Sequence, residues 1–331
     1  MNWGLIGAST IAAEHMIGAM RANGDDVVCI CSGDRLRARN FADTHGIDEA
    51  TSEINSVLSN SKVDAVYISS TNEKHFPQAR AAIAAGKHVL CEKPLAMSVA
   101  DALTMVDAAT KADVVFATNH HLRNAGSHIA VRDVIASGRI GKVLSMRVHH
   151  AVFLPQHLQG WRISDASAGG GVIADITVHD ADTVSFILGE DPFEVCAMST
   201  VSGMGSGVED SCMSVWSMPS GAQVMAHESF THAFAGTGLE VHGSDGSIFA
   251  HGVMTQQPVG TIELVTKAGR EDVPYSPHNL YSQGVKRFGD AVKGKGLPAA
   301  NGMDGVKSLA VAMAVKQAAA TGQCVRVNYE S

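Results

Sequence analysis

The sequence predicts an α/β protein: a parallel-sheet domain, then an α+β domain with an open, mainly antiparallel sheet. Up to about residue 120, short β-rich runs alternate with alanine-rich helical segments, which is the pattern of right-handed crossovers in a parallel sheet. Beyond that point strand-like runs follow one another with few helices between them, as in antiparallel sheets. No linker separates the two patterns, so we predict domains at 1–121 and 122–331.

The individual elements follow from hydrophobic periodicity and turn residues. In the first domain the predicted strands are 3–6, 26–31, 64–69, 88–91 and 114–118, and the predicted helices are 11–22, 35–45, 73–85 and 98–111. In the second domain the predicted strands are 142–153, 193–201, 208–217, 222–229, 237–242, 246–251 and 260–266, and the predicted helices are 124–137, 170–188, 279–293 and 303–320.

Composition and charge favour an enzyme acting on a small molecule. The chain has 331 residues, of which 45% are hydrophobic and 18% charged, as in ordinary globular enzymes. A net charge of −8 disfavours nucleic acid or an anionic membrane as a partner. We expect no membrane span and no secretion signal. One free face of the open sheet leaves self-association open.

The cysteines and histidines give a second set of expectations. The six cysteines lie at 29, 31, 91, 196, 212 and 324, without a CxxC or zinc-type spacing. We predict buried, reduced thiols and therefore a cytoplasmic location. Adjacent histidines on a strand point to opposite faces, so the pairs at 120–121 and 149–150 predict no metal site.

The first strand runs into Gly7-Ala-Ser-Thr-Ile-Ala12, which is close to the dinucleotide-binding turn G-x-G-x-x-A but has Ser9 as its middle residue. Gly7 permits a tight turn, and Ala12 lets a helix pack on the strand. The hydroxyls of Ser9 and Thr10 could hydrogen-bond a pyrophosphate at the helix N-terminus. The segment alone fits equally well a plain strand–turn–helix.

The end of the second strand bears on the choice of cofactor. NAD enzymes usually place a carboxylate here for the ribose 2′-hydroxyl, whereas this chain has Ser32, with Arg35 and Arg37 close behind. A hydroxyl and guanidinium groups suit a 2′-phosphate, so we predict NADP(H). Two alternatives stay open: ordinary surface arginines, and a register in which Asp34 is the NAD-type acid.

Two further segments carry residues suited to carbonyl chemistry. Lys93, in Cys91-Glu-Lys-Pro94, follows the fourth strand at the sheet edge where ligands bind, and could stabilise a developing alkoxide. In the second domain Asp175 and His179 are four residues apart, so they share one helix face, and the histidine could donate a proton. Taken separately, a surface lysine and a polar helix stripe explain these residues as well.

Taken together, GKHVLCEKPLA (86–96) and GGGVIADITVHDAD (169–182) resemble the Gfo/Idh/MocA oxidoreductase family over essentially the whole chain. WGLIGASTIA, NHHLRNA, HLQGWR and GMGSGVED are similar to members that reduce a sugar ketone. Thr177 replaces the family's common glycine between the aspartate and the histidine. The resemblance implies a Rossmann domain followed by an open-sheet domain, and Lys93, Asp175 and His179 as catalytic residues.

The resemblance also implies where ligands bind. The implied cofactor contacts are Gly7, Ser9, Thr10, Ile11, Ala12, Ser32, Gly33, Arg35, Arg37, Ser70, Thr71, Asn72, His75, Glu92, Lys93, Asn119, Trp161 and Arg162. The implied substrate contacts are Lys93, His120, Asp175 and His179. The expected reaction is reduction of a sugar ketone, with hydride from NADPH and a proton from His179. The alternatives are a dehydrogenase for inositol or another polyol, and a non-catalytic dinucleotide sensor.

Overall fold

The computed structural model describes residues 1–330 and divides them into two compact units. The first unit contains residues 1–121 and 281–306, and the second contains 122–280 and the chain from 307 onward. The prediction that all of 122–331 forms the second domain is therefore wrong for residues 281–306. Their helix buries Tyr281, Val285 and Phe288 in the core of the first unit, where the Phe288 ring lies 5.2 Å from the Trp3 ring.

The first unit is built on a parallel sheet, as predicted. Within the described residues its strands lie in the order β3-β2-β1-β4-β5-β6, so the strand order reverses between β1 and β4. Ligands bind at such a switch point in doubly wound folds. The short edge strand β3 was not predicted. The strands are β1 Asn2–Ile6, β2 Asp26–Cys31, β3 Glu49–Thr51, β4 Ala65–Ile68, β5 His88–Cys91 and β6 Phe116–Thr118.

Helices connect these strands and begin at residues suited to capping. Asp34 accepts a hydrogen bond from the Arg37 backbone N–H at the start of α2, and Ser98 accepts one from Asp101 at the start of α5. The first helix opens with a π turn, Ala12–Met16, before it becomes α-helical. The α-helices are α1 Ile17–Ala22, α2 Arg35–His45, α3 Ile54–Leu58, α4 Asn72–Ala84 and α5 Val99–Ala112.

The second unit contains the open sheet, and its mainly antiparallel character is confirmed. Across the described chain the strand order is β14-β13-β12-β11-β7-β10-β9-β8-β15, and β7 and β10 form its parallel pair. Exposed Met198, Met213 and Met225 lie on its open face. The strands are β7 Val143–Ala151, β8 Glu194–Thr200, β9 Ser211–Ser217, β10 Gln223–Ser229, β11 Thr237–Gly243, β12 Gly246–His251, β13 Thr261–Thr266, β14 Gly269–Asp272 and β15 Val325–Arg326.

The remaining helices fall close to their predicted positions. The predicted helix 170–188 is a π turn, Ile173–Thr177, followed directly by α7. Short 3₁₀ turns occupy His121–Asn124, Gln156–Leu158 and Gly160–Ile163. The α-helices are α6 Gly126–Ala136, α7 Val178–Leu188, α8 Leu280–Val292 and α9 Gly302–Thr321. In residues 1–330 no helix combines the length and apolar character that a membrane crossing requires.

The expectation that all cysteines are reduced is wrong for two of them. Cys196 and Cys324 form a disulfide, with their Cα atoms 4.2 Å apart. The physical reason is strand register: Val325 of β15 pairs with Val195 of β8, which sets the two cysteines opposite each other. Elsewhere in the described chain Cys29, Cys31, Cys91 and Cys212 are free and buried. The cysteines therefore no longer support the predicted cytoplasmic location.

Candidate active site

The glycine turn after β1 is shaped by a close backbone approach. Gly7 has φ +116°, and a Cβ there would lie 2.8 Å from the backbone of Ser69 and Ser70. The Ser9 hydroxyl accepts a hydrogen bond from the Ala12 N–H and bonds the Ser69 hydroxyl at 2.7 Å. The Ser9 hydroxyl, which the sequence predicts as a hydrogen-bond donor to a pyrophosphate, therefore bonds other residues of the protein and stabilises the turn. Thr10 is exposed at the start of the helix, with Ile11 half-buried behind it.

The end of β2 brings the predicted phosphate-binding residues together. The Arg37 Nε donates a hydrogen bond to the buried Ser32 hydroxyl at 2.8 Å. Asp34, the alternative NAD-type acid, is used as the N-cap of α2. Gly33 and Arg35 are exposed beside them. The arrangement presents a guanidinium, a hydroxyl and no uncommitted carboxylate, which suits a phosphate.

The turn after β4 is tied to the turn that carries Lys93. His75 is 1% exposed, with Nδ1 2.7 Å from the Pro94 carbonyl oxygen and Nε2 3.1 Å from that of Ser70. Both ring nitrogens of His75, for which a cofactor contact is predicted, thus face backbone carbonyl oxygens. The Ser70 and Thr71 hydroxyls donate to Gln78 and Glu73. Asn72 is buried where α4 begins.

Behind Lys93 lies a buried hydrogen-bonded network. The Tyr67 hydroxyl and the Asn119 amide both donate to Glu92 Oε1, at 2.5 Å and 2.6 Å. Burial raises the pKa of Glu92, and these hydrogen bonds and the Lys93 charge oppose the rise. Glu92 and Asn119, expected to touch the cofactor, thus turn their side chains toward each other. Tyr67 was missed because it sits in an apolar strand run, where only its hydroxyl hints at a polar role.

Aromatic stacking holds the histidines at the end of β6. The Tyr281 ring, which α8 returns to the first unit, lies between the rings of His15 at 4.5 Å and His121 at 5.1 Å. His120, the predicted substrate contact, is 2% exposed, and Lys93 is half-buried at the end of β5. The return of residues 281–306 to this unit was not visible in local sequence patterns.

In the second unit the glycine run allows a close fit at the start of the predicted catalytic helix. A Cβ on Gly170 would lie 2.6 Å from the Trp161 carbonyl oxygen, and Gly171 adopts φ +110° against Glu209. Glu209 accepts a hydrogen bond from the Ile173 N–H, where the π turn begins. Glu209 was not predicted, because its contact with this helix depends on a loop 36 residues further along the chain.

Residues from this loop and helix meet around Asp175. The Arg162 Nε lies 3.5 Å from Asp175 Oδ1, and the Arg162 guanidinium stacks 4.6 Å above the Trp161 ring. His179 is 8% exposed, one turn further along the helix. Asp182, the last acid of the motif, receives hydrogen bonds of 2.9 Å on both oxygens from the Arg123 Nε. The structure therefore groups Trp161, Arg162 and Asp175, and gives Asp182 a structural partner.

The segment GMGSGVED (203–210) forms a loop around the carboxylate of its last residue, Asp210. This carboxylate accepts hydrogen bonds from the N–H groups of Ser202, Gly203, Met204 and Gly205. Burial opposes ionisation, but the hydrogen bonds from Gly205, Ser202 and Met204 prevail and lower the pKa of Asp210 to about 2. The loop is thus wrapped around one buried charge, and these hydrogen bonds assign the segment no ligand.

Comparison with known proteins finds matches over both parts of the chain. Residues 1–120 match the model of an oxidoreductase family with an NAD-binding Rossmann fold, and residues 128–249 match the GFO/IDH/MocA C-terminal domain. The chain is 53% identical over 327 residues to 1,5-anhydro-D-fructose reductase from Ensifer adhaerens, covering 98% of each protein. It is 29% identical over 324 residues to myo-inositol 2-dehydrogenase from Thermotoga maritima, covering 96% of each.

A solved structure shows the same fold. The crystal structure of aldose-aldose oxidoreductase from Caulobacter crescentus, complexed with glycerol, matches with a TM-score of 0.90. The two proteins are 24% identical, and the match covers 98% of this chain and 99% of that one.

Proposed function

The chain belongs to the GFO/IDH/MocA oxidoreductase family, and on that premise we propose that it reduces the C2 ketone of 1,5-anhydro-D-fructose to 1,5-anhydro-D-mannitol with NADPH. The observation that carries the proposal is the 53% identity to the Ensifer reductase, which extends over both units. The polar residues that a carbonyl reduction requires are Lys93 in the first unit and Asp175 and His179 in the second.

The first unit fits a dinucleotide phosphate. Gly7 lets the turn pack closely against the backbone of Ser69 and Ser70 at the switch point of the sheet, where a pyrophosphate would bind beside the helix that follows. Ser32 and Arg37 would hold the 2′-phosphate that distinguishes NADP(H) from NAD(H). When bound, NADPH supplies the hydride that reduces the carbonyl carbon.

Lys93 stabilises the negative charge that develops on the carbonyl oxygen. Its backbone is held by two buried contacts, the Tyr67–Glu92 hydrogen bond and the approach of His75 to Pro94. A charge held in place before the reaction costs little reorganisation when the substrate reacts. Lys93 is therefore anchored for electrostatic stabilisation.

His179 donates the proton that the alkoxide requires, since a histidine changes its charge near neutral pH. Asp175 accepts hydrogen bonds from a sugar hydroxyl and so orients the ring. The neighbouring Arg162 lies 3.5 Å from this carboxylate and pairs with its charge. Orienting the sugar beside an acid supplies much of the rate by proximity.

One alternative reaction has a specific observation in its favour. The Thermotoga relative is named a myo-inositol 2-dehydrogenase, and the same lysine, aspartate and histidine serve oxidation of a ring alcohol when the direction is reversed. A non-catalytic sensor has no use for an acid such as His179, and any turnover excludes it.

The test follows NADPH absorbance with purified protein and 1,5-anhydro-D-fructose. NADH is the cofactor control, and myo-inositol with NADP or NAD tests the oxidative direction. Rapid oxidation of NADPH with the ketone, and slow oxidation of NADH, supports the proposal. Turnover of inositol without turnover of the ketone would show that the substrate is a polyol and not the proposed ketone. No activity with either substrate would overturn the proposed reaction.

A further inference from the structure

A buried group of ionisable side chains lies between α7 and the sheet of the second unit. His150 on β7 and Glu228 on β10 are in register on neighbouring parallel strands, which places their backbones about 4.8 Å apart. Asp180 comes from α7, with Oδ1 2.9 Å from His150 Nδ1. We call His150, Asp180 and Glu228 the buried acid cluster. None of the sequence motifs singled out His150 or Glu228 for this role.

The two carboxyl groups of the cluster are unequally satisfied. Asp180 and Glu228 are both 0% exposed. Asp180 Oδ1 has His150, whereas Asp180 Oδ2 and both oxygens of Glu228 lack a well-formed hydrogen bond within residues 1–330. The buried Thr183 hydroxyl is in the same condition. Two buried carboxylates without donors would not both carry charge, because desolvation and mutual repulsion penalise the second charge.

The electrostatics assign the charge to one member. Burial, and then the negative charge of Asp180, raise the pKa of Glu228 well above its ordinary range, against the opposing effects of the Thr177 hydroxyl and the Glu228 backbone N–H. Burial also raises the pKa of Asp180, but the charge and hydrogen bond of His150 oppose that rise. Asp180 is thus the better site for the charge and Glu228 for the proton.

Other titratable groups lie near the cluster on the elements packed on it, although His149 and His227 adjoin His150 and Glu228 along their strands and so point to the opposite face of the sheet. His179 is on the same helix as Asp180, and its ring centre lies 6.5 Å from that of His150. The others are His149 beside His150 on β7, His128 on α6, His227 beside Glu228 on β10, Cys212 opposite Glu228 on β9, and Glu209 just before β9. In the described chain, no three or more His, Cys, Asp or Glu side chains are arranged to hold a metal ion.

We propose that Asp180 and Glu228 act as one buried acid pair that carries a single negative charge, with the proton on Glu228, and that Asp180 thereby fixes His150 beside His179. The ionised Asp180 accepts a hydrogen bond from His150 Nδ1–H, which sets the tautomer of His150. Its remaining nitrogen, Nε2, is then an acceptor. All three are positioning residues. The consequence for His179 rests on the proposed function, whereas the charge state of the pair does not.

The proton on Glu228 is tested by the pH dependence of stability. Above the ordinary glutamate pKa the unfolded chain loses this proton while the native chain keeps it, so the wild type loses stability as pH rises. Glu228→Gln keeps the shape but has no proton to lose. We expect its Tm to rise by several degrees relative to wild type between about pH 5 and pH 8.

Glu53→Gln, at an exposed glutamate, is the matched control and should show no such trend. A Tm difference for Glu228→Gln that is flat or falls across this range overturns the proposal. Carbon-13 NMR of the Glu228 carboxyl in the wild type gives the same information without a variant. A carboxylate shift at neutral pH would overturn the proton assignment, even if Glu228→Gln fails to fold.

The role of the Asp180 charge is tested by Asp180→Asn and nitrogen-15 NMR of the histidine rings. Loss of the carboxylate that accepts from His150 Nδ1 should change the tautomer of His150, which the ring-nitrogen chemical shifts report. Glu228→Gln should leave the tautomer nearly unchanged at neutral pH. Equal changes in the His150 ring signals of the two variants would indicate a charge on Glu228. An unchanged His150 ring in Asp180→Asn would show that the acid pair does not control this histidine. Either result overturns the proposal.

Activity adds the link to His179. Asp180→Asn should lower kcat by roughly 10- to 100-fold, as for other residues that orient a functional histidine, and should shift the pH profile of kcat. A fall in kcat with an unchanged profile would indicate a merely structural role and overturn this link. The stability and NMR measurements need no substrate, so a wrong choice of sugar leaves them intact.

Discussion

Two glutamates withdrawn from water, half-buried Glu92 in the first unit and buried Glu228 in the second, have very different surroundings. Glu92 in the first unit receives short hydrogen bonds from Tyr67 and Asn119. Glu228 in the second unit is fully buried with no well-formed hydrogen bond from the described residues. Burial raises the pKa of both. Hydrogen bonds from Tyr67 and Asn119 and the Lys93 charge oppose the rise at Glu92, whereas at Glu228 the negative charge of Asp180 adds to it.

The difference indicates different tasks. A buried carboxyl with donors stabilises one rigid arrangement, here the strand end that presents Lys93. A buried carboxyl without donors keeps its proton and leaves the charge to a neighbour, here Asp180. Glu92 is therefore held by hydrogen bonds to its carboxylate, and Glu228 by leaving the charge to Asp180.

The largest expected effect is at His179, the acid served by the second arrangement. His179→Asn should lower kcat about 10²- to 10⁴-fold, because a positioned general acid is lost. Steady-state kinetics with unchanged circular dichroism would measure this. His251→Asn, at an exposed histidine on β12, is the control. Near-normal turnover in folded His179→Asn would show that another group donates the proton.

Lys93→Ala tests the first arrangement and should lower kcat about 10²- to 10³-fold by removing stabilisation of the alkoxide. Because Glu92 remains satisfied by Tyr67 and Asn119, Tm should change little. Lys111→Ala on α5 provides a surface-lysine control. Normal activity in Lys93→Ala, or loss of the fold, would contradict the division between an anchoring network and a reacting lysine.

Arg37→Ala should raise KM for NADPH by about tenfold, with less effect on NADH, because a charge-assisted contact to the 2′-phosphate is lost. Ser32→Asp should act in the same direction by repulsion. Arg39→Ala is the matched control, because Arg39 is paired with Asp43 on the same helix. Equal losses for both cofactors would move the 2′-phosphate away from Ser32 and Arg37.

Tyr67→Phe should have the smallest effect and makes the comparison of the two glutamates sharper. It removes one donor from Glu92 and should lower the free energy of unfolding by about 1–3 kcal/mol. Tyr275→Phe, whose hydroxyl donates to a half-buried backbone carbonyl, should cost less. Chemical denaturation measures both. An unchanged free energy of unfolding in Tyr67→Phe would show that the hydrogen bond from Tyr67 does not stabilise the Glu92 carboxylate, and the contrast with Glu228 would be lost.

Local patterns in the sequence were enough for much of this molecule. Alternating strand and helix patterns predicted the parallel sheet, and consecutive strand patterns predicted the open sheet. Both predictions succeed because hydrophobic periodicity repeats within a few residues. Gly7 in its turn, Lys93 at a strand end, and Asp175 with His179 on one helix were found in the same way.

Tertiary structure alone decided the features that depend on distant parts of the chain. Strand register set Cys196 opposite Cys324 and Glu228 beside His150. Packing returned residues 281–306 to the first unit and turned Glu92 toward Tyr67. No local period encodes these pairings, because each is fixed by which strands become neighbours and by which side chains must find a partner once water is excluded.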